Sequence, residues 1–319
     1  MKYFLPVFLL VIGCVFISCN KNESPGPTGP VVYMCGYSGL INAVLWQDKK
    51  ETILGQAFNT TDISLSGDDV YVCGNLGFAL PAGGSANAAV YWKNGILKKL
   101  GNNPSYANAI CTRGNDVFVC GSAMVNNEYV AVYWKNDSLH TLGNIPYSTA
   151  TDIFVENSDV YVSGTAGPNG TLAAYWKNGT LNILEPGYAN AVIIDNGNLY
   201  VAGGTGSGAA YWKNGLKTNL NDSSVDTVVT TTSATGIAVS GPDVHVIGYI
   251  NKINAVYWKN GVRIFLNNPA AFMNISENKN AIVVHNSDVY ISFNTASYWK
   301  NGEIIQMANG YASSLAVKN

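Results

Sequence analysis

From residue 31 onward, apolar and polar positions alternate in short runs, and Gly, Asn, Asp and Ser separate the runs. A two-residue period over such lengths predicts half-buried β-strands, and no stretch carries an apolar stripe at helical spacing. Four kinds of run recur in a fixed order. The first is Tyr106-Ala107-Asn108-Ala109-Ile110-Cys111, with a copy at Tyr188 to Ile193. The second is Asp69-Val70-Tyr71-Val72-Cys73-Gly74, repeated from Asp116, Asp159, Asn198, Asp243 and Asp288. Ala89-Val90-Tyr91-Trp92 is the third, and Ile96 to Leu100 the fourth. Gly114-Asn115, Asn196-Gly197, Gly241-Pro242 and Asn94-Gly95 supply turn chemistry between them.

The four-run unit repeats seven times. All seven tryptophans, Trp46, Trp92, Trp134, Trp176, Trp212, Trp258 and Trp299, stand at one repeat position, 36 to 46 residues apart. Six lie in Tyr-Trp-Lys-Asn; the first copy is Leu45-Trp46-Gln47-Asp48. A period of this length belongs to propeller blades or helical arrays, and the strand pattern selects the former. The chain enters the array on a second-type run, Val31 to Gly36, and leaves it on a first-type run, Tyr311 to Val317. The expected fold is therefore all-β: four-stranded blades, seven in number, the C-terminal strand completing the first blade and closing the ring. This resembles a seven-bladed β-propeller. The pair of elements Ala-x-Ala-Ile with Asp-Val-Tyr-Val, and Ala-Val-Tyr-Trp-Lys-Asn-Gly, is also similar to a divergent form of the extracellular HAF-type repeats. That resemblance implies architecture rather than activity.

Ahead of the array, Lys2 precedes the apolar run Phe4 to Ser18, which has the length of a signal-peptide core. It ends in Phe16-Ile17-Ser18-Cys19 and turns polar at Asn20-Lys21-Asn22-Glu23. This resembles the lipobox of bacterial lipoproteins. The resemblance implies a signal peptide over 1–18, cleavage before Cys19 and lipidation of its thiol; Val11-Ile12-Gly13-Cys14 is a competing box, and an ordinary secretory peptide the rival reading. Residues 19–30, rich in Pro, Gly and Ser, read as a flexible tether, and 31–319 as the propeller. The expected location is the bacterial cell envelope, lipid-anchored, at the outer membrane.

Formal charge is −2 and only 12% of residues are charged, with no basic block, which argues against nucleic acid. Cys35, Cys73 and Cys120 share one repeat position, so they do not face one another. A disulfide between Cys111 and Cys120 is conceivable, and buried apolar thiols are the simpler reading. The tryptophans read as packing between blades. Each second-run Asp should pair with the third-run Lys beside it: Asp69 with Lys93, Asp116 with Lys135, Asp159 with Lys177. Asp62 and Asp152 break the pattern at a first-run position that is otherwise small. They are weak candidates for a channel cation, short of the ligand number Ca²⁺ requires. Just before them, Thr61, Asn108, Thr151, Asn190, Thr235, Asn280 and Ser313 form a polar set suited to hydrogen bonding among inner strands or to a polar channel mouth. No cofactor is expected.

Copies differ most between the second and third runs, where binding usually resides. Asn75 to Ala88 reads as the longest such loop, with Phe78 and Leu80 exposed on it. Ser122 to Val130 contributes Asn126, Asn127 and Tyr129. The blade connectors add Tyr106, Tyr147, Tyr188 and Tyr311. Tyr and Asn without charge suit a neutral glycan or a protein partner. The expectation is a monomeric, membrane-anchored, non-enzymatic binding or scaffold lipoprotein. Its rivals are a polysaccharide lyase or glycosidase, and a purely structural subunit of an outer-membrane complex.

Overall fold

A computed structural model of the chain describes residues 29–39, 42–56, 59–79, 84–220, 232–250, 254–264, 266 and 282–319. The expected signal segment, Cys14, Cys19, most of the tether, Leu80 and Asn280 lie outside them. No helix among the described residues is long and apolar enough to cross a membrane.

The architecture is a β-propeller of four-stranded antiparallel blades. Five sheets of four strands stand apart. In the first, Tyr311–Lys318, Val31–Ser38, Asn42–Gln47 and Lys50–Gln56 lie side by side, so the C-terminal strand pairs with the first strand described. The second holds Asn59–Ser66, Asp69–Ala79, Ser85–Lys93 and Ile96–Lys99, and the third Ser105–Arg113, Asp116–Val125, Glu128–Lys135 and Ser138–Thr141. Two more contain Thr232–Ser240, Asp243–Ile250, Asn254–Lys259 and Val262–Ile264, then Ile282–His285, Asp288–Phe293, Ser297–Lys300 and Glu303–Gln306.

Between them, residues 149–219 form one seven-stranded sheet, where the repeat pattern led us to expect two separate blades. The reason is Thr180–Asp195, a single strand of 16 residues. Its first half pairs with Leu172–Lys177 and its second with Asn198–Thr205. Pro186 and Gly187, the latter at φ 145°, lie inside this strand without ending it.

The recurring phrase Tyr-Trp-Lys-Asn-Gly divides into four physical tasks. Trp fills the space between sheets: Trp46 and Trp176 are fully buried, and Trp176 packs with Ala109, Phe118, Cys120, Ala131 and Leu142 of the preceding sheet. Lys pairs with the second-strand Asp at 2.7–2.9 Å in Asp69–Lys93, Asp116–Lys135, Asp159–Lys177, Asp243–Lys259 and Asp288–Lys300. Each of these exposed pairs contributes about 0–1 kcal/mol. Asn adopts φ near 50° in a two-residue primed turn, with Gly after it in most copies. It also clamps the hairpin: Asn178 Oδ1 accepts the Val160 amide at 2.8 Å while its Nδ2 donates to Asp159 at 2.8 Å. The same two bonds recur at Asn94, Asn136, Asn260 and Asn301. In the degenerate copy, Asp48 accepts the Val32 amide at 3.0 Å.

A bulge marks the first strand of most sheets, at Thr60/Asp62, Ala107/Ala109, Ala150/Asp152, Ala189/Ala191 and Ala234/Gly236. The second-strand Gly lies opposite. A Cβ on Gly121 would fall on the Tyr106 carbonyl oxygen, and one on Gly164 on that of Thr149. The repeated glycine is therefore a matter of space rather than of φ. None of Cys35, Cys73, Cys111 and Cys120 is in a disulfide, so the conceivable Cys111–Cys120 bond is absent; Cys120 sits opposite Ala109, and Cys111 opposite Phe118.

Candidate binding face and central channel

Antiparallel order puts the second-to-third hairpins and the sheet-to-sheet connectors on one face. The Lys-Asn turns, Val31 and Lys318 lie on the other. The first of these faces holds the described loop candidates, and the described parts of two expected loops prove to be mostly strand. Asp69–Ala79 and Ser85–Lys93 pair without interruption from Tyr71 opposite Lys93 to Ala79 opposite Ser85. Phe78, expected to be exposed, is half-buried opposite Ala86, because the ladder of backbone bonds continues past the blade body. Likewise Ser122 to Val130 is a ladder ending in a two-residue turn. Asn126 and Asn127 occupy it at φ 51° and 65°, both exposed. Their identity is explained by that turn.

The tyrosines do gather. Tyr106 and Tyr129 are half-buried, their rings tilted at 51° with centroids 5.7 Å apart. Burial, then the neighbouring Tyr106, pushes the Tyr129 phenol upward. The Tyr147 amide donates to the Tyr129 carbonyl at 3.1 Å, which ties it to this pair. Tyr147 is 68% exposed and sits at φ 60°. A bulky aromatic in the left-handed region costs roughly 1–2 kcal/mol, and such strain collects at functional positions. Tyr188 and Tyr311 are also exposed, at 59% and 51%. Tyr311 stacks on Tyr37 at 4.9 Å and 20°, a partner the repeat pattern did not single out. Its signal was present: Tyr37 directly follows the second-strand Gly36, where the hairpin tips begin.

Across the described hairpin tips and connectors of this face (76–79, 84–88, 100–105, 124–129, 142–149, 165–171, 184–188, 205–207, 294–296 and 307–311), the charged side chains are Glu128 and Glu185. Glu185 is committed to Lys217 at 2.8 Å and to the Trp212 indole at 3.1 Å. The other polar residues there are Tyr, Asn, Ser and Thr, set among Gly, Pro and apolar side chains.

Inside the channel, the polar set forms a hand-to-hand series between neighbouring inner strands. Ser313 Oγ donates to the Thr60 carbonyl at 2.7 Å, Thr61 to Ala107 at 3.1 Å, and Asn108 to Ala150 at 2.7 Å. Thr151 donates to Ala189 at 2.6 Å and Asn190 to Ala234 at 2.8 Å. Thr235 turns back on Ile247 of its own sheet. These groups therefore join strands rather than present a polar mouth.

Asp62 and Asp152 belong to the same wall. Both are buried. Asp62 accepts the amides of Ile63 at 2.8 Å and Ile110 at 2.9 Å, and the Ser314 hydroxyl at 2.9 Å. Asp152 accepts the amides of Ile153 and Val192, each at 2.9 Å. Each carboxylate thus bridges its own bulge to the next inner strand. Burial, and next the charge of Asp152, raises Asp62 to about 7. Among the described residues, no three His, Cys, Asp or Glu side chains come together as metal ligands, so the weak cation candidates are read instead as strand-bridging groups.

Beyond the bulges the channel widens into a cavity of about 370 Å³. Its wall comes from the inner strands of all the sheets, with Ile63, Ile110, Ile153, Val192, Ile237 and Leu315 at equivalent positions.

No protein-family profile and no curated protein sequence matches this chain. Solved structures overlap it loosely. Apo AztD from Citrobacter koseri shares 8% identity at a TM-score of 0.43, over 89% of this chain and 84% of that one. A Trypanosoma rangeli sialidase in complex with sialic acid shares 10% at 0.42, over 84% and 55%. A GH43_12 protein retrieved from a capybara gut metagenome shares 13% at 0.36, over 76% and 59%. At TM-scores below 0.5, none of these carries an argument about what this chain binds or does.

Proposed function

We propose that this chain is an envelope lipoprotein, anchored through Cys19, whose propeller is a non-enzymatic binding or scaffold domain for a neutral glycan or protein partner. The carrying observation is Tyr147: an exposed aromatic ring held in a strained backbone, tied to Tyr129, on a face whose described tips and connectors carry Glu128 and Glu185 as their charged side chains. Aromatic rings with few rotatable bonds give contact area at low entropic cost, and uncharged polar neighbours suit hydroxyl- or amide-rich ligands.

The same proposal reads the array as seven blades in a closed ring. Thr180–Asp195 then serves as the outer strand of one blade and the inner strand of the next. Support comes from the pairing of Tyr311–Lys318 with Val31–Ser38, and from the bonds of Ser313 and Ser314 to Thr60 and Asp62. Closure would leave no inner edge open.

The test is a glycan array and an envelope pull-down with the full chain, its Tyr147→Ala and its Tyr188→Ala forms. The expected result is a ligand retained by the parent and weakened about tenfold or more in Tyr147→Ala, as for a central aromatic contact. Equal retention by all three forms would remove this face from consideration. Turnover of a polysaccharide would overturn the non-enzymatic reading, and fatty-acid labelling that persists in Cys19→Ala would move the anchor to Cys14.

A further inference from the structure

Strand pairing gives the tyrosine face an order from sheet to sheet. On six inner strands, one residue lies opposite the residue that follows the second-strand Gly. Taken in turn these are Tyr311, Asn59, Tyr106, Thr149, Tyr188 and Ser233. All are uncharged, and an aromatic ring alternates with a small polar side chain. Tyr147 stands two residues ahead of Thr149, in the connector that leads into it. Three successive inner strands therefore bring an aromatic group to one side of the channel mouth: Tyr106 against Tyr129, then Tyr147, then Tyr188. These strands are neighbours at that level, since Asn108 reaches the Ala150 carbonyl at 2.7 Å and Thr151 the Ala189 carbonyl at 2.6 Å. Each aromatic group is thus rooted one short side chain from the next strand.

The middle group is held from both sides. The Ser148 amide donates to the Ile145 carbonyl at 3.3 Å, so Pro146 and Tyr147 form the centre of a tight turn. With Pro second and a left-handed residue third, such a turn usually has Gly or Asn where Tyr147 stands. The Ser148 hydroxyl locks the turn, donating to the Ile145 carbonyl at 2.6 Å and accepting the Ala131 amide at 2.9 Å. On the other side Gly170 leaves room for the Tyr147 carbonyl, which a Cβ there would strike. A backbone constrained in this way has little freedom to lose on binding.

The surroundings of the three groups select among ligands. Among the described residues, the exposed large aliphatic side chains, Leu216, Ile96 and Val262 foremost, lie on the outer strands. On the tyrosine face the exposed large apolar residues are Tyr147, Tyr188 and Tyr311. A protein interface buries a contiguous apolar core, whereas this face offers separate rings with small polar side chains between them. The charged side chains of its described tips and connectors, Glu128 and Glu185, are both acidic, so an anionic ligand meets no cation there. A chain of sugar units meets both conditions. Its C–H hydrogens are partly positive and lie on the negative faces of aromatic rings, and its hydroxyls face Thr149 and the phenols.

We infer that Tyr106, Tyr147 and Tyr188 seat a neutral oligosaccharide that crosses three inner strands, with successive sugar rings on successive aromatic groups. The inference rests on the reading of this face as the binding face, and it narrows the ligand to a neutral chain of several units.

The experiment presents the full chain to an array of neutral and anionic glycans. Titration calorimetry then follows the neutral chain retained best, in a series from one unit to about six. Affinity should rise about fivefold with each unit up to about three, the scale of one aromatic contact, and then level off. Tyr188→Ala should remove the last step of that rise and spare the shortest chains. Leu216→Ser, on the face of the Lys-Asn turns, should bind as the parent does. Tyr147 and Tyr188 are both exposed, and thermal denaturation should show their Ala variants folded. Retention of no neutral chain, preference for an anionic one, or affinity that does not grow beyond one unit overturns the proposal. An envelope protein retained by the parent and lost in Tyr147→Ala, with no chain bound, upholds this face as the binding face and overturns the oligosaccharide. A chain bound alike by the parent, Tyr147→Ala and Tyr188→Ala overturns both.

Discussion

The buried tryptophans are chemically equivalent in sequence but not in the structure, and the difference is measurable. The Trp176 Nε1 is buried without an acceptor from the protein. The Trp212 Nε1 donates to Glu185 at 3.1 Å, and Glu185 is held in turn by Lys217 at 2.8 Å. Both side chains are at most 2% exposed. Replacement by Phe removes roughly 40–60 Å² of buried ring in either case, about 1–1.5 kcal/mol at ~25 cal/mol per Å². At Trp176 the same change also removes an orphaned donor whose desolvation costs about 1–3 kcal/mol. The two effects oppose, so Trp176→Phe should be close to neutral. At Trp212 the change breaks a hydrogen bond to a charged acceptor, worth about 1–2 kcal/mol once partial solvent screening of Glu185 is allowed for. The total there is about 2–3.5 kcal/mol. Trp176→Ala, by contrast, should cost about 3–5 kcal/mol, because the cavity between two sheets cannot collapse. Urea denaturation followed by far-UV circular dichroism gives the three values. The reasoning fails if Trp176→Phe is the more damaging of the two Phe variants, or if Trp176→Ala is tolerated.

Three further outcomes are expected. Tyr147→Gly should hold or gain stability, by about 0–1 kcal/mol in thermal denaturation, because Gly adopts φ 60° without strain, while ligand retention is lost; a clear loss of stability would show that the ring packs rather than binds. Asp62 is raised in the fold from 3.8 to about 7, so the unfolded chain ionises first as pH rises. Its contribution is therefore undiminished below about pH 4, declines through pH 4–7 by up to about 4 kcal/mol, and is level above that; Asp62→Asn should flatten this part of a stability–pH profile. Asn178→Ala removes two clamp bonds and places Ala at φ 51°, which should cost about 1–2 kcal/mol by chemical denaturation, whereas exposed-pair loss in Lys177→Ala should cost less than 1.

The sequence by itself determined what is local or strictly repeated. Strand type follows from the two-residue period, turn positions from Asn-Gly, the Asp–Lys pairs from antiparallel neighbours, and the burial of Trp from its single repeat position. The first three depend only on a strand and the one beside it, and the Trp burial on the strictness of the repeat. Tertiary structure alone decided what depends on how sheets meet. The joined seven-stranded sheet arose because Thr180–Asp195 runs on from its pairing with Leu172–Lys177 into a second pairing with Asn198–Thr205. Phe78, Asn126 and Asn127 moved from loop to hairpin because backbone ladders outran the side-chain pattern. Asp62 and Asp152 became bridges because their partners, the amides of Ile110 and Val192, lie 48 and 40 residues away. Tyr106 meets Tyr129 across the strand between them, and the channel cavity forms only where the inner strands of different sheets converge. Alternation along a strand says which side chains share a face; it carries no information about the distance between faces of different sheets, and that distance is what makes a site.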